Sequence, residues 1–451
     1  MKRLGDSDVY YINTTFTHSG TYYYFIRAND TSNNQNTSAT YTMIISEAKY
    51  DVNLTKGNIT IVESSAEAPP PLNSSGAYGR IGYWDNYPTP QWHPLKYARV
   101  ELWDDYGLWA LATGHTDANG YYALWASGGD WDGTPYDIRV KIFMDDGKVW
   151  VASPVVNICY WIETDTYYNV EGWKEISVDV VGDIHRAAAH IYSTIMEEQV
   201  WFKAQTGFER GDIKVEYPVS GETGFKYNPL SRWMNWIEIN INDGWETDTF
   251  QHEYAHAIMY DMYGTWVAEA NPNHSLTWET DHYTAFIEGW AEFMECAVDD
   301  ESLRPAHVAL EERKTSYDLE YAGKWSYPGR PAFPDDKFED TRPGHEGPDD
   351  YDTIEGNVAG IFWDIFDTTT SYDMFYPEDP WQAYPPPYDD DDLAMGINEI
   401  FDVLINYDPW PTVPLLDNPW TIHQFWDGWF ARGHGNTHWM KAIYYNHGIV
   451  K

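Results

Sequence analysis

Residues 249–260, TFQHEYAHAIMY, set two histidines four positions apart, with a glutamate directly after the first. On a helix, His252 and His256 fall one turn apart on the same face, where two imidazoles can grip one metal ion. Glu253 lies about 100° round the axis. From there it reaches a water at the metal without being a ligand, so it is placed as a general base. The spacing H-E-x-x-H therefore predicts a zinc site with hydrolytic chemistry. The motif is short, and a chain with 15 histidines can carry it by chance.

A catalytic zinc takes three protein groups and keeps one position open. Met259 and Met262 stand where a metzincin carries its glycine and third histidine, which excludes that arrangement. Downstream lies DHYTAFIEGWAEFMECAV, whose Phe286, Ile287, Trp290, Phe293 and Met294 predict a buried helix. Glu288, Glu292 and Glu295 share one of its faces at i, i+4 and i+7. Buried carboxylates are costly unless paired or bound to metal. Glu288 as third ligand removes that cost. Glu292, one turn on, is expected to accept the free N–H of a ligating histidine, and Glu295 is expected to face solvent. The stretch between the motifs holds rival ligands, Glu269, His274, Glu279 and His282, but at irregular loop spacing.

The elements that must position these groups can also be read. Asp248 is expected to cap the motif helix, with Gln251 completing a capping box and Gly264 ending it. Just before it, Trp236, Glu238 and Asn240 alternate with Ile237, Ile239 and Ile241, the pattern of a strand with one apolar face. Further upstream, GDIHRAAAHIYSTIMEEQVWFKAQTG predicts a helix capped by Asp183, with His185 and His190 as ordinary helix residues. A later helix is expected in DYDTIEGNVAGIFWDIFD. Closing helices carry His423, His438 and His447, read as surface or packing residues.

HEYAH followed by AFIEGWAEF resembles the gluzincin metallopeptidases, whose fold is that of thermolysin. The resemblance covers roughly residues 180–370. It implies His252, His256 and Glu288 as zinc ligands, Glu253 as general base and Glu292 as the residue orienting a ligand. It implies a later His or Tyr for the oxyanion, for which His345 and Tyr351 are the nearest candidates and Tyr351 is preferred. The strand Trp236–Ile241 would be the edge to which a substrate strand adds. The wide gap between His256 and Glu288 departs from the family pattern.

Upstream of residue 179 the pattern is β. Residues 1–47 resemble the last strands of an immunoglobulin-like module, 48–76 read as a Pro/Ser/Asn-rich linker, and 77–157 resemble the carboxypeptidase-regulatory and transthyretin-like β-sandwiches through HTDANGYYAL. There Asp117 and Gly120 shape a turn. Residues 158–178 are read as a connector and 179–451 as the peptidase domain. The expected fold is thus multidomain: all-β modules followed by an α+β, mainly helical domain. The front sheet has too few strands to stand alone, so the chain is expected to be a fragment, or to self-associate through that sheet.

With 71 acidic against 28 basic residues and a net charge of −43, nucleic acid and anionic lipid are excluded as partners. No apolar run reaches the ~18 residues of a membrane span. Sequons begin at Asn13, Asn29, Asn36, Asn53, Asn58, Asn73 and Asn273, six of them in the first 75 residues, which suggests a glycosylated extracellular or cell-surface protein. The run Asp389–Asp392 admits calcium without EF-hand spacing. Two cysteines, Cys159 and Cys296, allow at most one bridge. The function expected is a zinc endopeptidase acting on peptide or protein substrates. The rival is a non-enzymatic surface, adhesion or filament-forming protein with a structural or vestigial zinc site.

Overall fold

The computed structural model describes residues 74–86, 90–228, 231–263, 274–299, 350–366, 393, 395–409, 418–449 and 451. It adds the backbone of short paired strands before residue 46 and at 316–317 and 324–325. Two compact units emerge. The first comprises residues up to Gly82, Pro94–Phe143 and Trp161–Asp179; the second comprises Tyr83–His93, Met144–Tyr160 and Val180–Lys451.

In the first unit, Arg99–Asp104 lies between Ala110–His115 and Ile138–Phe143, with Trp161–Glu163 outermost. A second sheet centres on Ser74–Trp84, flanked by Tyr121–Ser127 and Gly172–Glu175. Alternation explains both. Ile138, Val140 and Ile142 are buried while their neighbours are less so, as are Val100 and Leu102 opposite and Tyr122 and Leu124 in the other sheet, whose central strand Ser74–Trp84 is buried along most of its length. Asp117 Oδ1 accepts from the N–H groups of Asn119 and Tyr121, and Gly120 takes φ +78°, the left-handed turn expected of that glycine. At the front, Gly20–Tyr24 pairs with Tyr41–Ile45, and Arg27–Asn29 with Gln35–Thr37. Asn29 and Asn36 lie in that inner pair, where only backbone pairing is described. Asn13, Asn53, Asn58, Asn73 and Asn273 lie outside the described residues.

The expected boundaries need correction. Ser74–Trp84 begins inside the stretch read as linker, and the supposed connector supplies two strands, Trp161–Glu163 and Gly172–Glu175. Val149–Ala152, read as part of the sandwich, instead belongs to the second unit, because it pairs in parallel with Ile213–Val219. A strand's sequence gives its faces but not its partner, and partner choice decided these cases.

In the second unit the sheet order is Val149–Ala152, Ile213–Val219, Ser231–Asn240, Gly224–Asn228, the last antiparallel to its neighbour. Ser231–Asn240 is therefore paired on both sides, so the expected edge at Trp236–Ile241 is overturned. The edge on that side is Gly224–Asn228, and Ile241 lies beyond the strand end. Helix α1 spans Asp183–Thr206 and starts at Asp183 rather than being capped by it; Gly207 ends it at φ +73°. Next come α2 (Thr247–Tyr263), α3 (His282–Asp299), a 3₁₀ turn (Tyr351–Thr353), α4 (Glu355–Phe366), α5 (Ile397–Asn406), α6 (Ile422–Ala431) and α7 (Thr437–Asn446). Their core is aromatic, with Phe286, Trp290, Phe293, Phe362 and Phe425 in edge and tilted contacts. His190 is buried structurally, its ring nitrogens facing the Tyr83 and Thr247 hydroxyls. Cys159 and Cys296 are not joined in a disulfide. Among the described residues, no helix is long and apolar enough to cross a membrane.

Candidate metal centre

Helix α2 begins at Thr247, so Asp248 sits in its first turn, where a carboxylate suits the positive end of the helix, and does not cap it. Gly264, expected to end it, lies outside the described residues. The buried face of α2 carries Phe250, Tyr254, Ala255 and Ile258. Trp290 Nε1 on α3 donates to Ala255 O at 3.1 Å and fixes one helix against the other. Gly289 explains how closely α4 approaches: a Cβ there would lie 2.7 Å from Val358 Cβ and 2.8 Å from Glu355 O. The glycine directly after Glu288 is a packing requirement.

This packing brings three donors to one point. His252 Nε2 and His256 Nε2 each lie 3.1 Å from Glu288 Oε2 and 3.2 Å from one another. Tetrahedral zinc with ligand distances of about 2.0–2.1 Å has ligand atoms about 3.3 Å apart. The three donors are spaced as three corners of such a tetrahedron, and the residues fit the ion that their types imply. Glu288 is 4% exposed. Burial alone would raise its carboxyl, but the His256 and His252 imidazoles hold it well below the usual carboxylate range.

The surrounding carboxylates are arranged about His252. Its Nδ1 lies 3.8 Å from Glu292 Oε1 and 3.7 Å from Glu295 Oε2. Burial works against the charged ring, yet Glu288 and Glu295 lift His252 well above its ordinary value. Glu292 thus lies near the ring nitrogen it was expected to accept from, beyond hydrogen-bond distance. Glu295 is 2% exposed, so its expected solvent position is overturned, and it faces the same ring nitrogen as Glu292. Glu253 Oε2 accepts from the Phe225 N–H at 2.6 Å, which orients that carboxylate toward the edge strand.

A further pair joins the site from outside the two motifs. The segment after His274 is strapped to the start of α4, with Gly356 N donating to Leu276 O and Thr280 N to Thr353 O. His274 Nδ1 therefore meets Glu355 Oε1 at 2.9 Å, while its Nε2 lies 4.0 Å from Glu288 Oε1. The Glu355 carboxylate beside its Nδ1 raises His274 to about 9. Burial raises Glu355 to about 7. Sequence spacing ranked His274 only as a rival ligand and passed over Glu355, although a carboxylate opening so apolar a helix was a signal. Tyr351 packs its ring against Gly448, and its carbonyl accepts from Asn357. Glu279 is turned to the Asp350 N–H. Glu269, His345 and Asp389–Asp392 lie outside the described residues.

Residues 194–374 match the family model described as Mycolysin C-terminal domain, an interval that contains the H-E-x-x-H motif, Glu288 and Glu355. That match relates this part of the chain to metallopeptidases. No curated protein matches the sequence. Among solved structures, a 9R-lipoxygenase from Cyanothece PCC8801 is similar at 16% identity, over 42% of this chain and 23% of that one, with a TM-score of 0.18.

Proposed function

We propose that the second unit is a zinc endopeptidase of the gluzincin type. The observation that carries this reading is the convergence of His252 Nε2, His256 Nε2 and Glu288 Oε2 at 3.1–3.2 Å, with Glu253 on the same helix but outside the cluster. A zinc ion held there supplies Lewis acidity and lowers the pKa of a water toward ~7. Glu253 takes the proton of the attacking water and returns it to the leaving amine. His274, oriented by Glu355, is better placed than Tyr351 to donate to the developing oxyanion. The substrate would add as a strand beside Gly224–Asn228, next to the Phe225 N–H that holds Glu253. An extracellular setting and N-glycosylation at the front sequons complete the proposal.

The test is hydrolysis of a broad peptide library by the full chain. Cleavage that stops on metal chelation and returns with zinc is expected. Zinc bound at full occupancy with no cleavage across the library would instead favour the structural-zinc, surface-protein alternative.

A further inference from the structure

A second group of side chains converges where the start of α3 meets the segment before α4. His282 Nδ1 lies 3.3 Å from Asp352 Oδ1. Asp350 brings a carboxylate oxygen within 4.8 Å of both. Asp352 is 7% exposed, and its Oδ1 makes no hydrogen bond. Its other oxygen, Oδ2, is taken by His423 from α6. The backbone holds the remaining member in place: Asp350 N donates to Glu279 Oε1 at 2.6 Å, and Asp350 O accepts from Thr353 N at 2.9 Å.

A simple ion pair between an imidazole and a buried carboxylate closes to an aligned hydrogen bond of about 2.7–2.9 Å. His423 is hydrogen-bonded to the other oxygen of Asp352; the His282 side makes no such bond. There the nitrogen and oxygen face each other without bonding, and a second carboxylate is turned to the same point. Two carboxylates sharing one site repel unless one takes a proton, the direction in which Asp352 pushes Asp350, or a cation lies between them. The gap of 3.3 Å is also close to the ~3.3 Å edge of a zinc ligand tetrahedron.

We propose that His282, Asp350 and Asp352 form a second metal site, separate from His252, His256 and Glu288, which takes a divalent first-row transition ion such as zinc. His423 is the outer partner that holds Asp352. An imidazole with two carboxylates suits that class of ion, whereas calcium sites are built from oxygens. The ion ties the 3₁₀ turn Tyr351–Thr353 to the first turn of α3. Glu355, the partner of His274, lies three residues beyond Asp352, so the second ion fixes the segment that positions that pair. This inference does not depend on peptide hydrolysis.

The experiment is a zinc titration of the chelator-stripped full chain against a chromophoric competitor. Two equivalents are expected for the wild type and one for His282→Ala/Asp350→Asn. Both substitutions are at exposed positions, so the fold survives them. Asp350→Asn alone is expected to weaken one equivalent by about tenfold or more. His252→Ala/His256→Ala should remove the other equivalent and leave this one. A wild type that binds a single equivalent, lost in His252→Ala/His256→Ala, overturns the proposal. So does a His282→Ala/Asp350→Asn variant that still binds two. Two equivalents without peptide cleavage would support this site while removing the enzymatic reading.

Discussion

His252, His256 and Glu288 come from two neighbouring helices, and each helix displays its donors through its own periodicity. His282, Asp350, Asp352 and His423 come from the start of α3, the segment before α4, and α6. Both groups join imidazoles to a buried carboxylate, Glu288 at 4% exposure and Asp352 at 7%. They differ in what holds the donors together. In the first, the contact between α2 and α3, sealed by Trp290 on Ala255 O, brings the donors together, and the bare surface of Gly289 lets α4 pack closely against α3. In the second, loop-to-loop bonds such as Asp350 N to Glu279 do the positioning. Local periodicity can write a site into sequence; tertiary closure leaves almost no trace there.

His274 is the sharpest probe of that contrast, because it is the one part of the first site delivered by loop closure. If it donates to the oxyanion, His274→Ala should lower kcat by about 10²–10³-fold while zinc occupancy is kept. A loss of zinc instead would make it a ligand. An unchanged kcat would return the role to Tyr351, whose replacement by Phe would then show the loss.

Glu292→Gln and Glu295→Gln come next. Both carboxylates face His252 Nδ1 at similar distance, so each substitution should weaken zinc binding by about 10–100-fold. Competition with a chelator of known affinity measures this. An effect confined to Glu292 would mean that Glu295 is a buried packing group only.

The smallest effect concerns the packing of α4 against α3, the helix that carries Glu288. Gly289→Ala must push α4 away from α3, and overpacking of this kind costs about 1–3 kcal/mol. Thermal unfolding should register the loss. An unchanged transition would show that the α3–α4 contact yields without strain.

Part of the first site was legible: helical spacing put His252 and His256 on one face and Glu288 and Glu292 on another, and the cost of a buried carboxylate together with the resemblance of the two motifs joined those faces. Glu295 was misjudged because a carboxylate at i+7 reads equally as solvated or buried until the facing helix is known. The edge strand was misplaced for a related reason. Ser231–Asn240 has the apolar alternation of a good strand, but Gly224–Asn228, short and begun by glycine, carries little pattern of its own and takes the outer position. Val149–Ala152 likewise showed its faces and hid its partner. The Asp352–His423 contact spans 71 positions and has no spacing to read.

The account rests most on Glu253, the one member of H-E-x-x-H outside the donor cluster. Glu253→Gln is nearly isosteric, and its amide oxygen can still accept from the Phe225 N–H. Zinc content and peptide hydrolysis should be measured on one preparation of this variant beside the wild type. The expected result is zinc retained at near-full occupancy with hydrolysis reduced by about 10²–10⁴-fold, the usual worth of a general base. A variant that keeps both its zinc and its rate would contradict the assignment of Glu253 as the base.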